Sequence, residues 1–272
     1  MSENYLAAIS PSELERLGMQ HQAWKTETDS FLKEAGFSSF KKIAEFGCGP
    51  GFTARDLAKE ISPDAEISGM DISELYLRYL DNVISTEKIS NLKTIQANIT
   101  EKIDFGNDFE GAFCRWFLAW VKRDLDIVLK NIYDSLLPGG VFACMEYLTL
   151  KSTVSSPPSK AFDKIVSAWE EFYIQCGGTT EVGSLLPDAL KQAGFDIKQI
   201  KCVGGLAPNG HRLFKWWKRL NEDFNQAFIE KGLLLTSDDA ELKEHWETNS
   251  SNQDAFIYTP ILVQIAAVKP IP

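Results

Sequence analysis

The sequence predicts an α/β fold, a doubly wound and mostly parallel sheet of seven strands with helices on both faces. Three observations carry this. From Lys42 onward, short strand-like runs alternate with amphipathic helical runs. The strand-like runs are apolar throughout, as in sheets covered on both sides. Three glycines, Gly47, Gly49 and Gly51, stand where the first strand-like run gives way to the first helical one. At 272 residues the chain is long enough for one large domain or a domain with a sizeable lid.

The elements follow in order. Ser10-Pro11-Ser12-Glu13 opens a helix: Ser10 suits the cap, Pro11 the first helical position, and Glu13 can bond back to the cap. That helical pattern runs to Gly36, with a break expected near Thr26, and should lie over the domain that follows. "KIAEF" (42–46) reads as a strand and "TARDLAKEI" (53–61) as a helix. "EISGMD" is the second strand, "SELYLRYLDNVI" a helix, and "LKTIQAN" and "GAFCRWF" the third and fourth strands. "RDLDIVLKNIYDSL" is helical and "GGVFACMEYLTL" the fifth strand. "LLPDALKQAGF" gives a helix ending at Gly194. "DIKQIKCVGG" and "AFIYTPILVQIAAVK" give the last two strands. Two helical insertions interrupt the alternation, near 156–176 and 208–249, and "STVSSPPS" (152–159) is the one linker-like patch. The expected organisation is an N-terminal helical lid segment over 1–40 and a domain over 41–272 carrying the two insertions.

Composition narrows the partners. A net charge of -10 opposes phosphate backbones, so no nucleic-acid partner is expected. "FKWWKRL" (214–220) mixes cations with indoles, but its plainer reading is an amphipathic helix whose cations face water. The five cysteines are scattered, odd in number and without a CxxC pair, which suggests neither a metal site nor a disulfide framework. No apolar run approaches a membrane span and the first twenty residues lack a signal-peptide pattern, so the expectation is a soluble cytoplasmic protein without a membrane partner.

The glycine turn narrows the chemistry. Glycines at a strand-to-helix junction allow positive φ and close backbone approach, and the helix N-terminus behind them offers free amides. A dinucleotide fingerprint needs G-x-G-x-x-G, but position 52 is Phe52 and the third glycine comes one place early. There is no G-K-[ST]. Glu45, two residues before Gly47, would oppose a pyrophosphate and suits a ligand carrying an ammonium or sulfonium cation. Asp71 ends the second strand, where a carboxylate can hold ribose hydroxyls; its alternative is to cap the next helix.

At this point the chain resembles the class I S-adenosylmethionine-dependent methyltransferases. "IAEFGCGPG" is similar to their first motif, "GMDIS" to the acidic ribose motif, "IQANIT" to the adenine motif and "LLPGGVFACMEY" to the late motif before the fifth strand. "ERLGMQHQAW" resembles the opening helix of a small-molecule branch of that family. The resemblance implies a Rossmann-like methyltransferase fold with an antiparallel last strand and helical lids. It implies S-adenosylmethionine as cofactor and a small-molecule acceptor, in a monomer or homodimer. It assigns the methionyl amino group to Glu45 and the turn Gly47-Cys48-Gly49, the ribose to Asp71, and the adenine to Ile72, Asn98 and Ile99. It assigns the methionyl carboxylate to Arg115, with Gln20 reaching it from the first helix. Arg115 has a surface ion pair as its alternative. Trp120 stands where many relatives carry a histidine, so no catalytic base carries over there.

Among the three histidines, His21 and His211 are the candidate catalytic groups, because both lid pieces can overhang the cofactor; surface or packing roles are the alternative. Glu146 and Tyr147, at the end of the fifth strand, are candidate acceptor-site residues. Cys48 reads as a structural thiol. Trp169, Phe172, Tyr173, Phe214, Trp216 and Trp217 pack lid to core, or form an aromatic wall for a flat or apolar acceptor. Two other functions share these features: a nicotinamide-dependent oxidoreductase, disfavoured by Phe52 and Glu45, and a non-catalytic module that binds S-adenosylmethionine.

Overall fold

The computed structural model describes residues 11–272. Seven strands form one sheet: β1 (Lys42–Phe46), β2 (Glu66–Asp71), β3 (Leu92–Gln96), β4 (Phe109–Arg115), β5 (Leu136–Thr149), β7 (Asp196–Val203) and β10 (Ile261–Val268). Their order is β3-β2-β1-β4-β5-β10-β7. β1 to β5 pair in parallel, and β10, the last strand of the chain, runs antiparallel between β5 and β7. This is the expected sheet.

Neighbouring strand residues alternate between two cores, which explains the unbroken apolar runs. Ile43, Phe113 and Ala143 pack into one cluster with Leu57, Leu77 and Leu80. Ala44, Ala112, Cys114, Phe142 and Cys144 pack into the other with Val128, Ile132 and Leu186. Helices α2 (Phe52–Asp56, continued by one π turn over Leu57–Ile61) and α3 (Glu74–Glu87) serve the first face. Helices α4 (Leu125–Ser135) and α6 (Val182–Gln192) serve the second.

Helix α1 spans Pro11–Glu34 without the break expected near Thr26. Thr28 turns its hydroxyl back to the Trp24 carbonyl (2.8 Å), and buried Ala23, Trp24, Phe31 and Leu32 hold the helix to the body. Ser10, its expected cap, lies outside the described residues. The insertions fold as α5 (Lys160–Gln175), α7 (Arg212–Glu230) and α8 (Thr236–Thr248), and α1 packs on α7.

The sequence reading missed a second sheet, ordered β6-β9-β8, of three-residue strands: β6 (Val154–Ser156), β8 (Leu206–Pro208) and β9 (Phe256–Tyr258). Strands this short carry no alternation. β6 lies inside the segment read as a linker. The run 255–269, read as one strand, splits at Thr259-Pro260 into β9 and β10, because proline has no N–H for the ladder.

The turn after β1 is built around its glycines. Gly51 has φ +78°, and a Cβ there would meet the Leu80 side chain at 2.5 Å. Gly51→Ala is therefore expected to cost about 2–4 kcal/mol, from left-handed strain plus overpacking. In a chain of this size that lowers the melting temperature by about 5–10 °C in a calorimetric scan. An unchanged melting temperature would contradict the tight packing of this turn.

Candidate functional site

The order of strands reverses between β1 and β4, and their carboxyl ends open a crevice where open α/β sheets bind ligands. A cavity of about 240 Å³ fills it. Its floor is the turn Gly47-Cys48-Gly49, its sides are the ends of β2, β4 and β5, and α1, α5 and α7 contribute the cover. Of the residues expected to hold the cofactor, Gln20, Glu45, Gly47, Cys48, Gly49, Asp71, Ile72, Ile99 and Arg115 all line this cavity. Asn98 does not: its side chain turns away to Glu101 and Thr100, and Ala97 and Ile99 form the wall there.

Glu45 is buried, and one oxygen, Oε2, has no hydrogen-bond partner. Loss of solvent dominates its titration and pushes its pKa up to about 8, against the pull of Arg115. Arg115 is also buried. It donates to Thr28 Oγ1 (2.7 Å) and to His21 Nδ1 (3.1 Å), and its guanidinium lies 4.9 Å from the centre of the Trp116 ring. Burial lowers its pKa to about 10. Among the described residues it forms no ion pair, so the surface-pair alternative fails. The cavity thus holds one buried acid and one buried base that do not neutralise each other at contact distance.

Asp71 accepts from the Gly49 amide with Oδ2 and from the Ser73 amide with Oδ1, both at 2.8 Å. The helix cap itself is Ser73, whose hydroxyl accepts from the Tyr76 amide. A carboxylate has about four acceptor sites, so these two bonds leave room for ribose hydroxyls. Burial raises its pKa. Asp71 also ties the glycine turn to β2, which positions the Gly49 backbone. A Cβ at Gly47 would strike Phe117 at 2.5 Å, and one at Gly49 would meet nothing within 4 Å, so the turn is open at Gly49. Cys48 is buried and its thiol pKa is raised by burial, in keeping with a structural thiol.

The two candidate catalytic histidines stand in different places, one on the cavity wall and one away from it. His21 lines the cavity, but both ring nitrogens are engaged. A guanidinium only donates, so Nδ1 accepts from Arg115, which leaves Nε2 to donate to Asp56 Oδ2 (2.9 Å). Burial lowers its pKa, and its ring stacks on Phe52. The ring thus links Arg115 to Asp56. Lys25 completes the chain by pairing with Asp56 at 2.6 Å. His211 is absent from the cavity wall; its ring caps α7 by accepting from the Leu213 amide.

Glu146 is fully buried outside the cavity wall. Its carboxylate accepts from the amides of Phe117, Leu118 and Ala119 at 2.8, 2.8 and 3.4 Å, so it shapes the loop after β4 instead of touching an acceptor. That loop starts at Trp116, held at φ +52°. Of the six aromatic residues flagged in the insertions, Tyr173 alone lines the cavity; the other five lie in the core. The sequence reading missed Thr28, Asp56 and Trp116. The first has a visible signal: Leu17, Gln20, His21, Trp24 and Thr28 fall on one helical stripe of α1. Gln20 lies in that stripe, but its Oε1 accepts from Arg16 (3.2 Å) and Trp216 (3.3 Å).

Residues 43–140 match the family model described as a methyltransferase domain. A demethylmenaquinone methyltransferase of Symbiobacterium thermophilum is 29% identical over 128 residues, which cover 47% of this chain and 49% of that protein. The chain spans about half the length of the curated relatives it matches. Phosphoethanolamine N-methyltransferase 2 of Haemonchus contortus, solved with S-adenosyl-L-methionine, superposes with a TM-score of 0.59 at 21% identity, over 90% of this chain and 53% of that one. The cyclase SpnF superposes with a TM-score of 0.59 at 17% identity, over 92% and 82%. These two likenesses concern the fold.

Proposed function

We propose that this chain, which carries a class I S-adenosylmethionine-dependent methyltransferase domain, moves a methyl group from S-adenosylmethionine to an O, N or C atom of a small organic acceptor. One observation carries the reading. Glu45, with its orphaned buried oxygen, and Arg115, with no ion-pair partner among the described residues, flank a glycine turn inside one cavity. An amino-acid ligand, with its ammonium and carboxylate, neutralises both. A pyrophosphate satisfies neither the carboxylate nor the short turn.

Glu45 would hold the methionyl ammonium and Arg115 the carboxylate. Asp71 would hold the ribose hydroxyls, and Ile72 and Ile99 would flank the adenine. The cofactor supplies an already activated methyl group, so the protein's work is alignment and exclusion of water. Alignment of this kind can supply about 7–11 kcal/mol of a bimolecular barrier. His21, with both nitrogens engaged, holds Arg115 in place and takes no proton from an acceptor. Transfer then proceeds by in-line displacement on an acceptor that ionises readily, without a side-chain base.

The organisation follows the same reading. Residues 1–40 serve as a lid segment and 41–272 as the methyltransferase domain, with insertions near 156–176 and 208–249; support comes from α1, α5 and α7, which all line the cavity. A covered cavity and a net charge of -10 favour a small acceptor over nucleic acid. Five free cysteines favour the cytoplasm. Among the described residues no helix is long and apolar enough to cross a membrane.

The test is turnover. S-adenosylmethionine labelled in its methyl group is incubated with the protein and a panel of small phenols, amines and acids. Release of S-adenosylhomocysteine with one acceptor, and none without it, is the expected result. Tight cofactor binding with no transfer to any member of a broad panel would favour a non-catalytic binding module.

A further inference from the structure

We infer that Asp56, which lies outside the cavity wall, is a positioning residue for the cofactor: through His21 it sets how Arg115 meets the methionyl carboxylate. This deepens the methyl-transfer reading and rests on it.

One chain of bonds joins five side chains from three elements. The Arg115 guanidinium, at the end of β4, is gripped from α1 at both terminal nitrogens. Nη1 donates to Thr28 Oγ1 (2.7 Å) and Nη2 to His21 Nδ1 (3.1 Å). His21 Nε2 meets Asp56 Oδ2 at 2.9 Å, and the same carboxylate oxygen meets Lys25 Nζ at 2.6 Å. His21, Lys25 and Thr28 recur at helical spacing, so one face of α1 makes all of these contacts.

Residue type alone does not make Nδ1 an acceptor. A neutral imidazole carries its proton on either nitrogen, and the partner of one decides the other. Protonated on Nδ1, His21 would set an N–H against an N–H of Arg115. Asp56 opposes this, because a carboxylate only accepts and so holds the proton on Nε2. Burial alone would raise the Asp56 pKa, but its bonds to His21 and Lys25 outweigh burial and hold it below its ordinary value, so the acceptor stays ionised. Burial also lowers the His21 pKa, which keeps the ring uncharged at neutral pH.

The local fold places Asp56 for this role. Phe52 and Asp56 stand four residues apart on α2 and face α1 together. Phe52 stacks on the His21 ring at 5.6 Å and 19°, so one helix holds the ring by its face and by its edge. Thr28 gives its hydroxyl proton to the Trp24 carbonyl (2.8 Å) and accepts from Arg115. With both anchors in place the guanidinium cannot turn about its stem. Its remaining N–H groups are held in one orientation before a ligand arrives. Freeing the His21 ring releases one anchor of the two.

The test joins a spectrum to a binding cycle. Nitrogen-15 NMR of the imidazoles shows which ring nitrogen carries the proton, and with three histidines in the chain, His21→Leu assigns the signal. The expected result is a proton on His21 Nε2 in the unaltered protein, with a larger share on Nδ1 in Asp56→Leu. In calorimetry, Asp56→Leu is expected to weaken S-adenosylhomocysteine about three- to ten-fold, the range for one hydrogen bond. It should leave 5′-methylthioadenosine, which lacks the amino-acid portion, within about two-fold. Asp56→Asn keeps an oxygen for the ring and should retain most of the affinity. In an Arg115→Met background Asp56→Leu should change neither ligand, because its route to the ligand is gone. Lys25 keeps Asp29 and Glu60, each at 3.0 Å, when Asp56 is replaced, so a folded variant is available. The spectrum of the unaltered protein stands without any variant, and a proton on Nδ1 there would overturn the inference. So would equal losses or no loss for the two ligands in Asp56→Leu, or a full loss in the Arg115→Met background. If the unaltered protein binds neither ligand, the methyl-donor reading itself fails, and this role with it.

Discussion

Arg115→Met weakens S-adenosylmethionine binding by about 10–100-fold, the range for losing a hydrogen-bonded charge from a buried site. The same substitution leaves 5′-methylthioadenosine, which lacks the amino-acid portion, within about two-fold of its original affinity, because no charged contact is lost. The contrast follows from where Arg115 stands. It is buried, it spends two donors on Thr28 and His21, and no carboxylate of the described residues pairs with it. Methionine keeps the length and packing of the stem while removing the charge. Asp71→Ala is different, since the ribose is common to both ligands, and is expected to weaken both. Calorimetric titration of the two ligands on the two variants separates these roles. Equal losses for both ligands in Arg115→Met would place the arginine elsewhere than the methionyl carboxylate.

Binding of S-adenosylmethionine releases close to one proton near pH 7, and its affinity rises by up to about ten-fold per pH unit between pH 6 and 8. Burial pushes the Glu45 pKa up to about 8, so the free protein carries a proton there at neutral pH. An ammonium needs the carboxylate, and the proton must leave. The sign for folding is opposite. The native pKa of Glu45 lies above its ordinary value of 4.5, so its contribution to stability is fully present below about pH 4.5 and is lost as pH rises through 8. Glu146, raised by burial to about 7, acts in the same direction. The ligand-free protein is therefore expected to melt at lower temperature at pH 8 than at pH 5.5, and the ligand to restore more of the loss at the higher pH. Titration in buffers of different ionisation enthalpy counts the released proton directly. In Glu45→Gln the release should vanish. Release that persists in this variant would move the linkage to another group.

That most of the residues expected to hold the cofactor line one cavity was legible because their placement is local. Glu45, the glycine turn and Asp71 sit at the ends of two adjacent strands, and their chemistry follows from residue type and position along the chain. Asn98 failed by one residue: the backbone after β3 turns its amide outward and leaves Ala97 and Ile99 on the wall. His21 and His211 failed for another reason. Sequence shows a titratable ring on a covering helix but not the partners that consume its nitrogens, here Arg115 and Asp56 for one and the Leu213 amide for the other. Glu146 is similar, since three amides from a loop 27–29 residues away in sequence decide its role. Trp169, Phe172, Phe214, Trp216 and Trp217 pack lid to core, the plainer of the two readings the sequence offered, and of the six only Tyr173 reaches the cavity wall. The small sheet was invisible because three-residue strands carry no period.

The most direct measurement is calorimetric titration of the unaltered protein and of Asp71→Ala with S-adenosylmethionine, S-adenosylhomocysteine and NAD. Saturable binding of the first two, no binding of NAD, and a loss of about ten-fold or more in Asp71→Ala is the result this account requires. Binding of NAD alone would contradict it, because a pyrophosphate would then sit above Glu45 in a turn whose third glycine comes one residue early.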